Sequence, residues 1–221
     1  MEPYGTDTFT EPDADPDTLA HLGPLRAMAG VWEGTKGSDD HPTGPGSDMD
    51  GVAIEGGLRN TFVEHYELQP IDPQTNGPQL FYGLRYHVHI VKPGEVETFH
   101  DQVGYWLWEP ATNTVMQSLA IPRGQVALAI GTAAADATEF EVRAAIGSEE
   151  NGIVSVPFIN AAFRTLSFRI RVTTNGDDTW SYEEDTVLQL PDRAEPFHHI
   201  DRNTLTRVGA PTPNPIVLGG S

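Results

Sequence analysis

Apolar and polar residues keep two different rhythms along this chain. Between Asp17 and Gly30, Leu19, Leu22, Leu25 and Met28 recur at every third position, behind Asp17 or Thr18 as a cap. That spacing predicts a short helix ended by Gly30, with Pro24 starting a second turn or bending the first. Beyond Gly30 the period drops to two. "VWEGTKG" opens a strand and runs into the Gly-, Pro- and Asp-rich "SDDHPTGPGSDMDG". Further strand segments follow: "RNTFVEHYELQ", "LFYGLRYHVHIV", "ETFHDQVGYWLWEP", "TVMQSLAIP", "GQVALAIG", "TEFEVRAAIG", "TLSFRIRVTTN", "TWSYEEDTVLQL" and "FHHIDRNTLTRV". Turn-forming "DPQTNGP", "KPGE", "PATN", "PRG", "NGDD" and "PDRAEP" separate them.

About ten strands at hairpin spacing predict an all-β fold, an antiparallel up-and-down barrel with a short N-terminal helix. Only "EENGIVSVPFINAAFR" interrupts the series, and it reads as a loop with one helical turn around Pro157 to Phe163. No repeat is visible and no second domain is needed. Residues 17–208 are therefore expected to form a single barrel domain. Residues 1–16, rich in Asp, Glu, Pro and Thr, read as a disordered tail, and 209–221 as a flexible one. A barrel of about ten strands is wide enough to hold a ligand inside.

The alternation also sorts side chains by face. In "TFHDQVGYWLW", His100, Gln102, Gly104, Trp106 and Trp108 share one face, and Phe99, Val103, Tyr105 and Leu107 the other. In "FHHIDRNTLTRV", His199, Asp201, Asn203, Leu205 and Arg207 lie on one side. His198, Ile200, Arg202, Thr204 and Thr206 lie on the other. One of the two adjacent imidazoles should therefore look inward.

Composition narrows the chemistry. Apolar residues make up 38% of 221, enough for a core, and no run approaches the roughly 20 apolar residues of a membrane helix. The N-terminus lacks the basic and apolar regions of a signal peptide, so a soluble, cytoplasmic protein is expected. The chain has no cysteine, which removes disulfides, thiolate metal sites and Cys nucleophiles. Against 32 acids stand 13 bases, for a net charge of −19. Such a surface repels phosphate backbones and anionic lipid, so neither nucleic acid nor membrane is expected as a partner.

No Gly-x-Ser-x-Gly elbow, P-loop or dinucleotide fingerprint occurs. The neighbouring acids Glu183, Glu184 and Asp185 of "SYEEDT" point alternately apart, as on a solvated hairpin arm, which argues against a paired-carboxylate glycosidase site. Among eight histidines, His21 falls in the helix and His65 in an ordinary strand position. His87 and His89 share a face and read either as a metal pair or as a solvated polar face. His198 and His199 are the strongest candidate ligands.

Three stretches resemble the nitrobindins, a family of heme-binding β-barrels akin to fatty-acid-binding proteins and lipocalins. "GPLRAMAGVWEGTKG" is similar to their Leu-rich helix followed by Gly-x-Trp-x-Gly-x-Gly: Gly30, Trp32 and Gly34 match, Lys36 and Gly37 depart, and His41 stands where an aromatic residue is usual. "FHDQVGYWLWEP" resembles the strand carrying a pocket histidine, through His100, Gly104 and Tyr105, and "IPRGQVALAIG" resembles the hairpin after it. "HHI" followed by Leu205 and Arg207 resembles the closing strand that holds the proximal iron ligand. Counting back from Leu205 and Arg207 by the family's spacing lands near Ile200, so one bulged residue would be needed to put His199 in the family's register. The resemblance spans 22–208, with a long first loop and an insertion near 148–164 that mark a divergent branch.

The resemblance implies a ferric heme b at the barrel mouth, with His199 on iron and His198 as the alternative ligand. The open side of the iron would face His100, and Trp32, Tyr105 and Trp106 would either contribute to the wall or simply belong to the core. It also implies binding of nitric oxide and isomerisation of peroxynitrite to nitrate, an iron-dependent isomerase activity. A homodimer stays open. A Cys-free chain leaves imidazole, Met or Tyr as axial ligand. The alternative is a non-heme intracellular carrier of a fatty acid or other small apolar metabolite. There Arg169 and Arg171, which share a face, would pair with a carboxylate, unless they lie outside and balance the acid surplus.

Overall fold

The computed structural model describes residues 11, 13–43 and 51–218. Helix α1 (Thr18–His21) is capped by Asp17, whose side chain accepts from the Ala20 N–H at 3.1 Å. A 3-10 turn over Gly23–Met28 follows, with Pro24 at its start. Leu22, Leu25 and Met28 are wholly buried, so the spacing of three places one apolar edge on the barrel.

The strands are β1 (Gly30–Pro42), β2 (Val52–Ile54), β3 (Gly57–Pro70), β4 (Gln74–Asn76), β5 (Gln79–Val91), β6 (Thr98–Glu109), β7 (Thr114–Ile121), β8 (Gln125–Thr132), β9 (Glu139–Ile146), β10 (Gly152–Ser155), β11 (Arg164–Thr174), β12 (Thr179–Gln189) and β13 (Phe197–Gly209). Helix α2 (Pro157–Ala162) sits between β10 and β11. The sheet runs β3-β1-β13-β12-β11-β9-β10-β8-β7-β6-β5 and closes through β5 on β3, with β2 and β4 outside the ring. The expected all-β up-and-down barrel is thus present. It is mixed because β10 runs parallel to β9.

Three local features depart from the expectation. First, β10 forms in the segment whose sequence predicts a loop. It forms because Ile153 drops into the core while its neighbours pair with β8 and β9. Second, β1 continues through Ser38–Pro42, where Asp, Gly and Pro density favours a turn; it is paired with β3 throughout and with β13 over Ser38, Asp39 and Asp40. Third, β2 and β4 form three-residue strands in segments rich in turn residues. The predicted first sixteen residues lie mostly outside the described ones. After Gly209, the Thr212 N–H donates to Gln69 Oε1 at 2.8 Å and Asn214 Nδ2 to Asp72 Oδ1 at 2.7 Å, so this stretch rests on β3 and the chain just past it.

One irregularity sets the chemistry inside. Gly34 pairs with Glu64 on β3, but Gly37 pairs with Phe62, so Thr35 and Lys36 together oppose Val63. This bulge inverts the parity of β1. Trp32 and Gly34 face inward before it, and Gly37, Asp39 and His41 after it. Gly37 is required where it stands, because a Cβ would run into the Phe62 ring; a Cβ at Gly34 would meet the Asn203 amide.

The barrel is solid at one end and hollow at the other. Trp32, Trp106, Trp180 and Leu205 fill the end covered by the N-terminal helix, and all are essentially inaccessible. At the opposite ends of the same strands stand Asp39, His100, Glu184 and His199.

Candidate functional site

Asp39, Glu64, His100, Gln102, Glu184, His199 and Asp201 line a cavity of about 130 Å³, with Phe62, Val88, Ile90, Phe99 and Ile170 as an apolar wall. Each polar residue arrives by strand alternation. β13 pairs with β12 without a break from Phe197 to Thr206, so His199, Asp201 and Asn203 point inward by plain period two and no bulge intervenes in that pairing. Glu184 faces in between Tyr182 and Thr186 on β12, and His100 and Gln102 do so on β6.

His199 Nε2 lies 2.7 Å from Asp39 Oδ1 and 3.3 Å from Asp201 Oδ2. Burial disfavours its charged form, but the carboxylates of Asp201, Asp39 and Glu184 outweigh that and push its pKa up to about 9. Burial also raises Asp201 and Glu184 above the carboxylate range; Asp201 adds to the rise of Glu184, and His199 opposes both. Glu64, 2% exposed, is pushed up to about 7 by burial, although it accepts from Asn203 Nδ2 at 2.8 Å and Tyr182 Oη at 2.9 Å. Burial pushes His100 down to about 4, leaving it neutral at pH 7. Tyr86 Oη accepts from Gln102 Nε2 at 2.7 Å and Gln117 Nε2 at 3.3 Å, and donates to the Ser118 carbonyl.

The structure brings two of the sequence candidates, His199 and His100, to one cavity. The others stand elsewhere. Trp32 is 1% exposed in the solid end, where Nε1 donates to the Met28 carbonyl at 2.7 Å and the Arg207 guanidinium lies 4.1 Å from the ring centre. Tyr105 is 46% exposed on the outer face. His198 points outward, with Nδ1 3.0 Å from Asp185. Arg169 also faces outward, pairing with Glu183 at 2.8 Å and Glu141 at 3.2 Å, and Arg171 reaches Glu141 at 3.3 Å. His87 and His89 share Asp101 on the outer surface, at 2.9 and 3.4 Å.

Sequence reasoning missed Asp39, Glu64, Asp201 and Glu184 as site residues. Glu184 and Asp201 carried a signal, since each alternates in step with an inward aromatic or imidazole. Asp39 carried none, because the bulge hides its parity.

A closed barrel with a hollow end, an apolar wall and a few converging polar groups defines a ligand-binding β-barrel. A family model described as the THAP4-like, heme-binding beta-barrel domain matches residues 21–207, and the chain belongs to that family. Among solved structures, the crystal structure of Rv2717c from M. tuberculosis is similar at 20% identity over 88% of this chain and 99% of that one, with a TM-score of 0.58, a likeness of fold. No curated protein sequence matches. Among the described residues no helix is long and apolar enough to cross a membrane.

The family's ligand fits this cavity poorly. About 130 Å³ is well below the roughly 300–1,000 Å³ of pockets that hold drug-sized ligands. The Nε2 of His199 that would meet iron already faces two carboxylates. A porphyrin face would cover the half-buried carboxyls of Glu184 and Asp201 and return no hydrogen bonds, a desolvation cost.

Proposed function

We propose that this chain is a ligand-binding barrel of the heme-binding family whose seat takes a small, positively charged guest in place of a porphyrin. The observation that carries this is the convergence of Asp39, Glu64, Glu184 and Asp201 on one small cavity with His199. A cation that displaces the protons burial holds on Glu64, Glu184 and Asp201 gains carboxylates at short range, which oppose an anion. Peroxynitrite and fatty-acid carboxylates are both anions, so the same charge argues against either as guest. The absence of cysteine suits a reducing compartment such as the cytoplasm.

Heme is the second reading, favoured by the family and by the presence of both His199 and His100 in the cavity. There His199 would hold the iron, His100 would face its open side, and handling of nitric oxide or peroxynitrite would follow. The two readings separate when hemin is added to purified wild type, His199→Ala and His100→Ala. The expected result is the spectrum of free hemin in all three. A shifted Soret band in wild type that disappears in His199→Ala overturns the proposal in favour of heme.

A further inference from the structure

We infer that Asp39, His199 and Asp201 form a seat for one divalent transition-metal ion bound directly by the protein. The inference rests on the reading of the cavity as a cation seat and names its guest. Asp39 and Asp201 sit on neighbouring strands, at directly paired positions, and His199 stands two residues before Asp201 on the same face. One donor atom from each lies within 4.8 Å of the others. A single ion with bonds of about 2.1 Å holds its ligands about 3.0 Å apart at right angles and about 3.4 Å apart in a tetrahedron. The distances from His199 Nε2, 2.7 and 3.3 Å, lie on either side of the right-angle value, so an ion can replace the shared proton once these side chains adjust.

A second observation points to a guest. Gln117, 1% exposed, lines the same cavity; its Nε2 is committed to Tyr86, but its Oε1 has no hydrogen-bond partner. A buried carbonyl oxygen of this kind is rarely left orphaned. Water on a bound cation is a strong donor and supplies what Gln117 lacks. Space agrees: about 130 Å³ is well above the roughly 10–15 Å³ that one water needs, enough for an ion and its remaining aqua ligands.

Charge agrees as well. Asp39, Glu64, Glu184 and Asp201 face the cavity, opposed by His199 and Arg123. With the four acids ionised, Arg123 cationic and His199 neutral as a ligand, the lining has an excess of three negative charges, which one divalent ion reduces to one. The imidazole argues against Mg²⁺ and Ca²⁺, which prefer all-oxygen shells, and the two carboxylates with no sulfur favour Mn²⁺ or Zn²⁺ over soft ions.

The test uses the full chain, stripped with chelator and titrated with Mn²⁺ or Zn²⁺ by calorimetry. Expected is one site per chain, a higher melting temperature with metal, and at least about tenfold weaker binding in Asp39→Asn and His199→Ala, in line with losses on disturbing metal-site residues. Glu183→Gln, on the outer face, should bind as wild type. Bound Mn²⁺ should show a nitrogen coupling in its spin-echo modulation that His199→Ala abolishes, a signature a structural role would not move. Asp201→Asn stands in for any variant that does not fold. If neither ion saturates a site while hemin is also ignored, the metal site is overturned and the cation-seat reading survives. If hemin binds through His199, the cation-seat reading falls and the metal inference with it.

Discussion

His199 Nε2 stands 2.7 Å from Asp39 Oδ1, although 160 residues separate them. The contact joins the last strand to the first, which pair side by side in the barrel wall. It places an imidazole between two carboxylates in a water-poor interior. Breaking such a pair from one side leaves a buried charge without its partner. His199→Ala should therefore destabilise the metal-free protein by about 3–5 kcal/mol, as for other broken buried pairs, read as a lower urea midpoint at pH 7.

Glu64 should make stability fall as pH rises. Its folded pKa is about 7 against an ordinary 4.5, so the folded state holds a proton that the unfolded state has lost. The stabilising contribution is complete below the unfolded value and is lost as pH rises through about 7. It amounts to at most about 3 kcal/mol from the size of the shift. Urea unfolding at pH 5 and pH 8 should show that decline in wild type and a shallower one in Glu64→Gln. Equal slopes would mean that Glu64 is ionised throughout.

His100 should behave in the opposite sense. Its folded pKa lies near 4, below the usual 6.5, so its contribution is present above 6.5 and lost as pH falls through 4. Imidazole NMR across about pH 3–7 should find one histidine that stays neutral above about pH 5 and takes up its proton only near pH 4. That signal should vanish in His100→Gln.

Gly37→Ala should cost about 1–3 kcal/mol, the usual range for overpacking, because its Cβ collides with the Phe62 ring on the cavity wall. Gly147→Ala makes a useful contrast. Nothing surrounds a Cβ there, so its cost comes only from the positive φ of 77°. Thermal melts of the two variants compare crowding with backbone strain directly.

Much of the barrel was legible wherever period two ran unbroken. The inward set of β6, from His100 to Trp108, and that of β13, from His199 to Leu205, are the sets that alternation predicts. What escaped did so for physical reasons. The bulge at Thr35 and Lys36 reverses the sides of Asp39 and Asp40, and no residue type announces it. Glu184 looked like solvent-facing charge because Glu183 and Asp185, on either side, are that: they pair with Arg169, Arg202 and His198. Strand β10 is short and depends on backbone partners supplied by β8 and β9, which a local pattern does not reveal.

The extra residue in β1 has a consequence for heredity. A single-codon deletion of Thr35 or Lys36 would remove the bulge and leave Gly34 against Glu64 and Gly37 against Phe62. Asp39 would still meet the imidazole, and Asp40 would keep Arg59. Relatives of this barrel can therefore gain or lose that codon without changing which charges line the lumen.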